Sequence, residues 1–176
     1  MIIVMGLPGA GKTTVLNGLQ TDYKVQNFGD LMFEIEKEKF GIQNRDEMRT
    51  IPKEKQTEVQ KLVYERLSKE EGKFILDTHC SVNTPKGFLP GVPLEYLKLL
   101  KVDYLVLITA DVEAVAKRRA EDPTRKRDSD NIGLHDQMNK SFLAAYSAFT
   151  GAPAVVIINE QGKVEKAVAK LQALLD

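Results

Sequence analysis

Apolar residues along this chain fall into two rhythms that alternate from one end to the other. Short unbroken runs at Ile2-Ile3-Val4-Met5, Phe74-Ile75-Leu76, Tyr104 to Ile108 and Ala154 to Ile158 read as central strands buried on both faces. Val25-Gln26-Asn27-Phe28 reads as one more short strand. Between the runs the spacing lengthens to that of helices. Residues 53–71 place Val59, Leu62, Val63 and Leu67 on one face, and residues 134–149 do so with Leu134, Met138, Phe142, Ala145 and Phe149. Val164, Ala167, Val168, Leu171, Leu174 and Leu175 form a last stripe. Strands interleaved with helices predict an α/β fold, a five-stranded parallel sheet covered on both faces. Ligands of such sheets gather at the carboxyl ends of the strands.

Composition narrows the class. At 176 residues, with no evident linker or repeat, the chain is expected to form one domain. Lys plus Arg equals Asp plus Glu at 25 each, so no global charge draws it to nucleic acid or to a membrane surface. Cys80 stands alone, which excludes an internal disulfide and suits a reducing compartment. There is no basic segment followed by a cleavable apolar one at the start, and no apolar run of membrane-spanning length. The expected location is the cytoplasm.

The chemistry starts where the first strand ends. Gly6-Leu7-Pro8-Gly9-Ala10-Gly11-Lys12-Thr13 is a complete G-x-x-x-x-G-K-[ST] loop, preceded by a strand pattern and followed by helical spacing at Val15, Leu16 and Leu19. The glycines let backbone N–H groups turn inward around a polyphosphate, and the following helix start adds partial positive charge. Lys12 reaches the β- and γ-phosphates and the Thr13 hydroxyl can ligate Mg²⁺. The loop therefore predicts a nucleoside triphosphate site built from Gly6, Leu7, Pro8, Gly9, Ala10, Gly11, Lys12, Thr13 and Thr14.

Two further stretches carry more arginine than a core requires. One, from about residue 29 to 60, contains Asn44-Arg45-Asp46-Glu47-Met48-Arg49. The other is Lys117 to Asp128, in which six of twelve residues are Lys or Arg. It follows a strand and a short helix opening at Asp111, and Pro123 interrupts any helix there. A charge run is usually a solvated face. Next to a phosphate loop, arginines arriving on a loop can instead neutralise a transferring phosphoryl group.

Taken together these stretches resemble the adenylate kinases, specifically the archaeal type, over nearly the whole length. The resemblance rests on Gly6 to Thr13, Asn27 to Phe33, Arg45-Asp46-Glu47-Met48-Arg49, Asp77-Thr78-His79, Thr84 to Pro93, Arg118-Arg119, Thr124 to Asp128 and Phe149 to Ala152. It implies a P-loop NTPase three-layer fold with a monophosphate-binding insertion at about 29–60 and a short lid at about 122–131. It implies ATP and AMP as substrates, Mg²⁺ as cofactor, and a homotrimer. Carried over by position, it makes Lys12, Arg119, Arg125 and Arg127 catalytic, with Phe28, Gly29, Arg49 and Lys86 toward AMP. Thr13 and Asp77 fall at the metal, Asp77 through water, although a turn or helix-capping role for Asp77 stays open. Phe33 stands where bacterial members carry an AMP-contacting arginine.

The remaining singular residues read as structural. His79 beside Cys80 has no second ligand pair at zinc spacing and is expected to be a turn residue lining the cleft. His135 is expected at a helix start, facing solvent or capping it. The activity so implied is reversible transfer of the γ-phosphoryl of ATP to AMP. Two alternatives stay open: a kinase for another nucleoside monophosphate, and an ATP-switched assembly factor whose basic run 117–127 touches RNA phosphates.

Overall fold

The structure, a computed structural model, describes residues 1–121 and 131–176, without the side chain of Arg49. In chain order the elements are β1 (Ile2–Gly6), α1 (Lys12–Asn17), β2 (Lys24–Asn27), α2 (Phe28–Phe40), a 3₁₀ turn (Glu47–Thr50), α3 (Lys53–Leu67), β3 (Phe74–Thr78), β4 (Ser81–Thr84), β5 (Gly87–Pro90), α4 (Leu94–Leu97), β6 (Tyr104–Thr109), α5 (Val112–Ala120), α6 (Ile132–Thr150), β7 (Ala154–Ile158) and α7 (Val164–Gln172). Five strands pair in parallel in the order β2-β3-β1-β6-β7, as the alternating rhythms predict.

Side chains alternate across β1 and so divide the core in two. Ile3 and Met5 face a layer with Leu31 of α2, Val59, Val63 and Tyr64 of α3, and Leu143 and Tyr146 of α6. Ile2 and Val4 face Val15 and Leu16 of α1 with Ala167 and Leu171 of α7. Each such fully buried aliphatic side chain contributes roughly 1.5–3 kcal/mol, so these two faces carry most of the fold's apolar stabilisation. A third, smaller cluster of Leu7, Ala10, Val115 and Ile132 packs α5 and α6 directly against the phosphate loop.

Three expectations change, and one stretch forms an element that the apolar rhythm does not predict. The stripe placed on Leu134, Met138, Phe142, Ala145 and Phe149 is not the buried face of α6, which is Ile132, Asn139, Leu143 and Tyr146, while Leu134 and Phe149 are exposed. The core face of α6 includes a polar residue, Asn139, whose carbonyls take hydrogen bonds from Cys80 Sγ and Ser81 Oγ. A count of apolar positions alone therefore selects a face rotated by about one residue. The run Ala154 to Ile158 is an edge strand rather than a central one, with Val156 and Ile158 exposed. The stretch from Ser81 to Pro90 folds as an antiparallel hairpin of its own. Finally, α1 ends at Asn17, before Leu19.

Candidate active site

β1, β2 and β3 end at a cleft of about 770 Å³ lined by Lys12, Thr13, Asn27, Asp77 and Thr78 from that edge of the sheet. It sits where the chain changes direction: from β1 it crosses over β3 to β2, and from β3 it continues to β6 on the far side of β1. That reversal opens the crevice in which open α/β sheets bind ligands.

The donor loop is fixed from outside. Gly9 and Gly11 adopt φ of 92° and 84°, a left-handed conformation that strains residues with a side chain. A Cβ on Gly11 would also lie 2.2 Å from Asn159 Nδ2. Three successive carbonyls are taken up by side chains from two other elements. Arg119 Nε donates to Pro8 O at 2.9 Å, Arg118 Nη1 to Gly9 O at 3.2 Å, and Asn159 Nδ2 to Ala10 O at 2.8 Å. Asn159 is itself anchored, its backbone N–H donating to Thr109 O at 2.7 Å. Holding these carbonyls fixes the peptide planes that lead into α1, whose N-terminus supplies amides and partial positive charge for an anion.

Lys12 points into the cleft, where its ammonium is engaged by the Asp77 carboxylate. Asn27 Nδ2 donates to the other Asp77 oxygen at 2.8 Å. Burial lowers the Lys12 pKa to about 8 by disfavouring the charged form. The same Asn27 caps α2, its Oδ1 accepting from the N–H groups of Gly29 at 2.9 Å and Asp30 at 3.3 Å. One asparagine thus ties the end of β2, the start of α2 and the carboxylate opposite Lys12 together.

The other wall of the cleft comes from the stretch read as the monophosphate side. Phe28, Gly29, Asp30 and Met32 of α2, Arg45, and Gln60 of α3 line it. The Phe28 ring packs on Tyr64 with centroids 4.9 Å apart. Arg49 lies on the 3₁₀ turn Glu47–Thr50. From the hairpin region Val82 and Gly91 reach the cleft, and so does His79, as expected. Lys86 does not line it: it sits at the hairpin tip, exposed, with its N–H donating to Thr84 Oγ1 at 3.2 Å.

Of the other sequence-predicted residues, Thr13 lines the cleft and Thr14 is exposed on α1. Arg119 is almost fully buried against the loop, so its Pro8 contact belongs to the donor wall. Arg125 and Arg127, with the rest of 122–130, lie outside the described residues. His135 neither faces solvent nor caps its helix. Asn131 occupies the cap position, and the His135 Nε2 lies 3.1 Å from Ser81 Oγ with its ring 5.0 Å from that of Phe88. Burial lowers its pKa, and the hairpin holds it because α6 packs across β4 and β5. Asn27, Arg45, Arg118 and Asn159 are site residues that sequence reasoning did not single out.

A metal has limited protein ligands here. Among the described residues no group of three or more His, Cys, Asp or Glu converges on a point. Thr13 and Asp77, both on the cleft, suit an ion that takes one or two protein oxygens and otherwise keeps waters and phosphates, as Mg²⁺ does.

Comparison with known proteins agrees with this geometry. A family model described as an AAA domain matches residues 5–133. The chain is 40% identical to an adenylate kinase from Methanothermobacter thermautotrophicus, covering 100% of this chain and 99% of that one. It is 41% identical to an adenylate kinase from Thermoplasma volcanium, covering 96% of each. Among solved structures, a shikimate kinase from Bacteroides thetaiotaomicron superposes with a TM-score of 0.58 over 99% of this chain and 97% of that one, at 15% identity, a likeness of fold. With the loop, the cleft and relatives matching at full length, the chain belongs to the adenylate kinases, which are phosphotransferases.

Proposed function

We propose that this protein catalyses reversible transfer of the γ-phosphoryl group of ATP to AMP, giving two ADP. The observation that carries the reading is the full-length match to adenylate kinases on a chain whose phosphate loop opens onto a cleft with a second wall from α2 and α3. Lys12 and the loop 6–13 hold the donor phosphates, and Arg49, on the 3₁₀ turn of the stretch that supplies the other wall, holds the acceptor phosphate. An acceptor phosphate oxygen then attacks the γ-phosphorus in line as the bond to the β–γ bridging oxygen breaks, its electron pair leaving with ADP. Mg²⁺ on the donor phosphates supplies charge neutralisation, and Thr13 and Asp77 are the residues that would hold it, Asp77 through water. When the donor enters, its phosphates compete with Asp77 for Lys12 and replace one anionic partner of the buried ammonium by another.

Residues 29–60 serve as the AMP-binding region and 122–131 as a lid, whose Arg125 and Arg127 close on the phosphates and exclude water that would otherwise hydrolyse ATP. The protein works as a homo-oligomer, a trimer by its resemblance. Exposed Leu134 and Phe149 on α6 and Val156 and Ile158 on the edge strand β7 supply apolar surface for such contacts. A cytoplasmic setting suits the single cysteine, and no helix among the described residues is long and apolar enough to cross a membrane.

A panel of nucleoside monophosphates with ATP as donor tests the reading. ADP formation should depend on AMP, and Arg49→Ala should raise KM for AMP far more than for ATP, because a guanidinium–phosphate grip is lost on one substrate only. ATP hydrolysis indifferent to AMP would instead support the nucleotide-switched reading. A different preferred acceptor would move the protein to another monophosphate.

A further inference from the structure

On the acceptor wall the guanidinium of Arg45 is paired with the carboxylate of Asp30, and both residues line the cleft. Both side chains are about half exposed, 43% and 61%, so water reaches the pair from the open side. Asp30 stands in the first turn of α2, one residue past Gly29, and Arg45 Nη2 lies 4.0 Å from where a Gly29 Cβ would be. The cation is therefore held beside the first turn of α2, whose Gly29 and Asp30 amides Asn27 caps. Across the cleft stand Lys12 and Asp77.

An exposed ion pair in this position has a specific property. A carboxylate carries one negative charge, whereas a phosphomonoester carries nearly two near neutral pH and offers three acceptor oxygens. Arginine's planar fork matches either partner, but the phosphate forms the stronger pair. Asp30 is thus a competitor that a monophosphate can displace, and a competitor too exposed to hold Arg45 firmly. The 61% exposure of Asp30 also lets its carboxylate swing to water once released, without stranding a buried charge.

We propose that Arg45 is a phosphate-holding cation of the acceptor site and that Asp30 occupies it until a nucleoside monophosphate arrives. This rests on the reading of the cleft's second wall as the acceptor side. Asp30 sets the apparent acceptor affinity by the amount its own pair with Arg45 must be given up. The device acts on the acceptor alone, because the donor loop lies against the other wall and touches neither residue.

Four variants test it: Asp30→Asn, Arg45→Ala, Arg45→Lys, and the double variant Asp30→Asn with Arg45→Ala. For each, AMP and ATP affinities are measured separately by calorimetry and steady-state kinetics, with melting temperatures to establish folding. Asp30→Asn should tighten AMP by roughly two- to fivefold, the span of an exposed pair, and leave ATP unchanged. Arg45→Ala should weaken AMP by roughly tenfold or more, as expected for loss of a charge-assisted contact to a dianion, and Arg45→Lys should recover part of that. In the double variant the gain from Asp30→Asn should vanish, because the carboxylate then has no guanidinium to compete for. The same gain with or without Arg45 would mean that Asp30 merely repels anions, which overturns the pairing. Unchanged AMP affinity in Asp30→Asn, or an Arg45→Ala loss shared equally by ATP, overturns it as well. Failure of the wild-type protein to make ADP from AMP and ATP overturns the functional reading itself. If it also fails to bind AMP, the inference falls with it; if it binds AMP, the affinities of the variants still decide the inference.

Discussion

Around the donor loop, among the described residues, side-chain hydrogen bonds from buried or half-buried partners hold its shape: Arg119, Arg118 and Asn159 on three successive carbonyls, Asn27 on Asp77. The helices of the acceptor wall are joined to their surroundings differently. Arg66–Glu34 and Lys39–Glu58 bridge α2 to α3 and Arg45–Asp30 bridges α2 to the following loop, all three with exposed side chains. Exposed pairs of this kind are worth about 0–1 kcal/mol each, whereas leaving a buried carbonyl without its donor costs about 1–3 kcal/mol. The polar contacts of the donor loop consequently keep one geometry, whereas the ion pairs of the acceptor wall, which lie outside the buried apolar contacts of α2 and α3, can be exchanged at small cost. A phosphoryl-transfer enzyme needs both: charge in place before the reaction, and a second wall that accommodates its substrate.

The sharpest test of the rigid wall is Lys12→Met. It removes the Lys12 ammonium, which points into the cleft, while roughly keeping the stem's volume, and kcat should fall by about a hundredfold or more. Asp77 then loses its ion-pair partner and keeps its hydrogen bond from Asn27, so the melting temperature of the variant is measured alongside its turnover. Near-normal turnover by folded Lys12→Met protein would remove the donor assignment altogether.

A smaller effect distinguishes the walls directly. Asn159→Ala leaves the Ala10 carbonyl without its side-chain donor, so the loop loses one of its three outer restraints. At about 1–3 kcal/mol for a buried unpaired carbonyl, KM for ATP should rise by roughly tenfold. KM for AMP should stay within twofold or so if the walls are independent at this level. An equal rise for both nucleotides would show that donor loop and acceptor wall respond as one unit.

How much of this was legible in the sequence follows the same division. The loop Gly6 to Thr13 carries its function in its own spacing, and the flanking strand and helix are read from the rhythm around it. Its restraints are not local. Arg118 and Asn159 come from positions more than a hundred residues away, and only the parallel register that brings the end of β7 beside the ends of β6 and β1 delivers them. The available signal was positional: Asn159 directly follows a strand, where sheets of this class converge on their ligand. On the acceptor side Arg45 is visible in sequence as one charge among many, and only its place on the cleft, paired with Asp30 on the same wall, separates it from a solvated surface. The misplaced face of α6 has a related cause. Asn139 is buried because Cys80 and Ser81 bond to it, and no apolar pattern records that. The edge position of β7 escaped for a different reason, since an edge strand can be as apolar as a central one when one face remains uncovered.

A last effect, on stability with no change in nucleotide affinity, probes a buried carboxylate of α2 that does not follow the pattern of exposed pairs. Glu36 on α2 is fully buried, and neither of its carboxylate oxygens has a hydrogen-bond partner among the described residues. It lies on α2 between the Arg66–Glu34 and Lys39–Glu58 bridges, where α3 contributes the buried Val59 and Val63. Burial raises its pKa, because desolvation penalises the carboxylate. The folded state therefore holds this proton more tightly than the unfolded chain. The group's contribution to stability is intact below its unfolded value near 4.5 and is lost as pH rises through the folded value. Glu36→Leu removes the titration and leaves an apolar side chain in apolar surroundings. It should stabilise the protein at neutral pH by about 1–3 kcal/mol, some 2–4 °C in melting temperature per kcal/mol for a chain of this size. The difference in melting temperature from wild type should narrow as pH falls below about 4.5, where both states of the wild-type glutamate are protonated. AMP affinity should be unchanged, since Glu36 does not line the cleft. A Glu36→Leu variant less stable than wild type at neutral pH, or one with weakened AMP binding, would show that the carboxylate holds part of the acceptor wall in place and that this wall, too, depends on a buried polar contact.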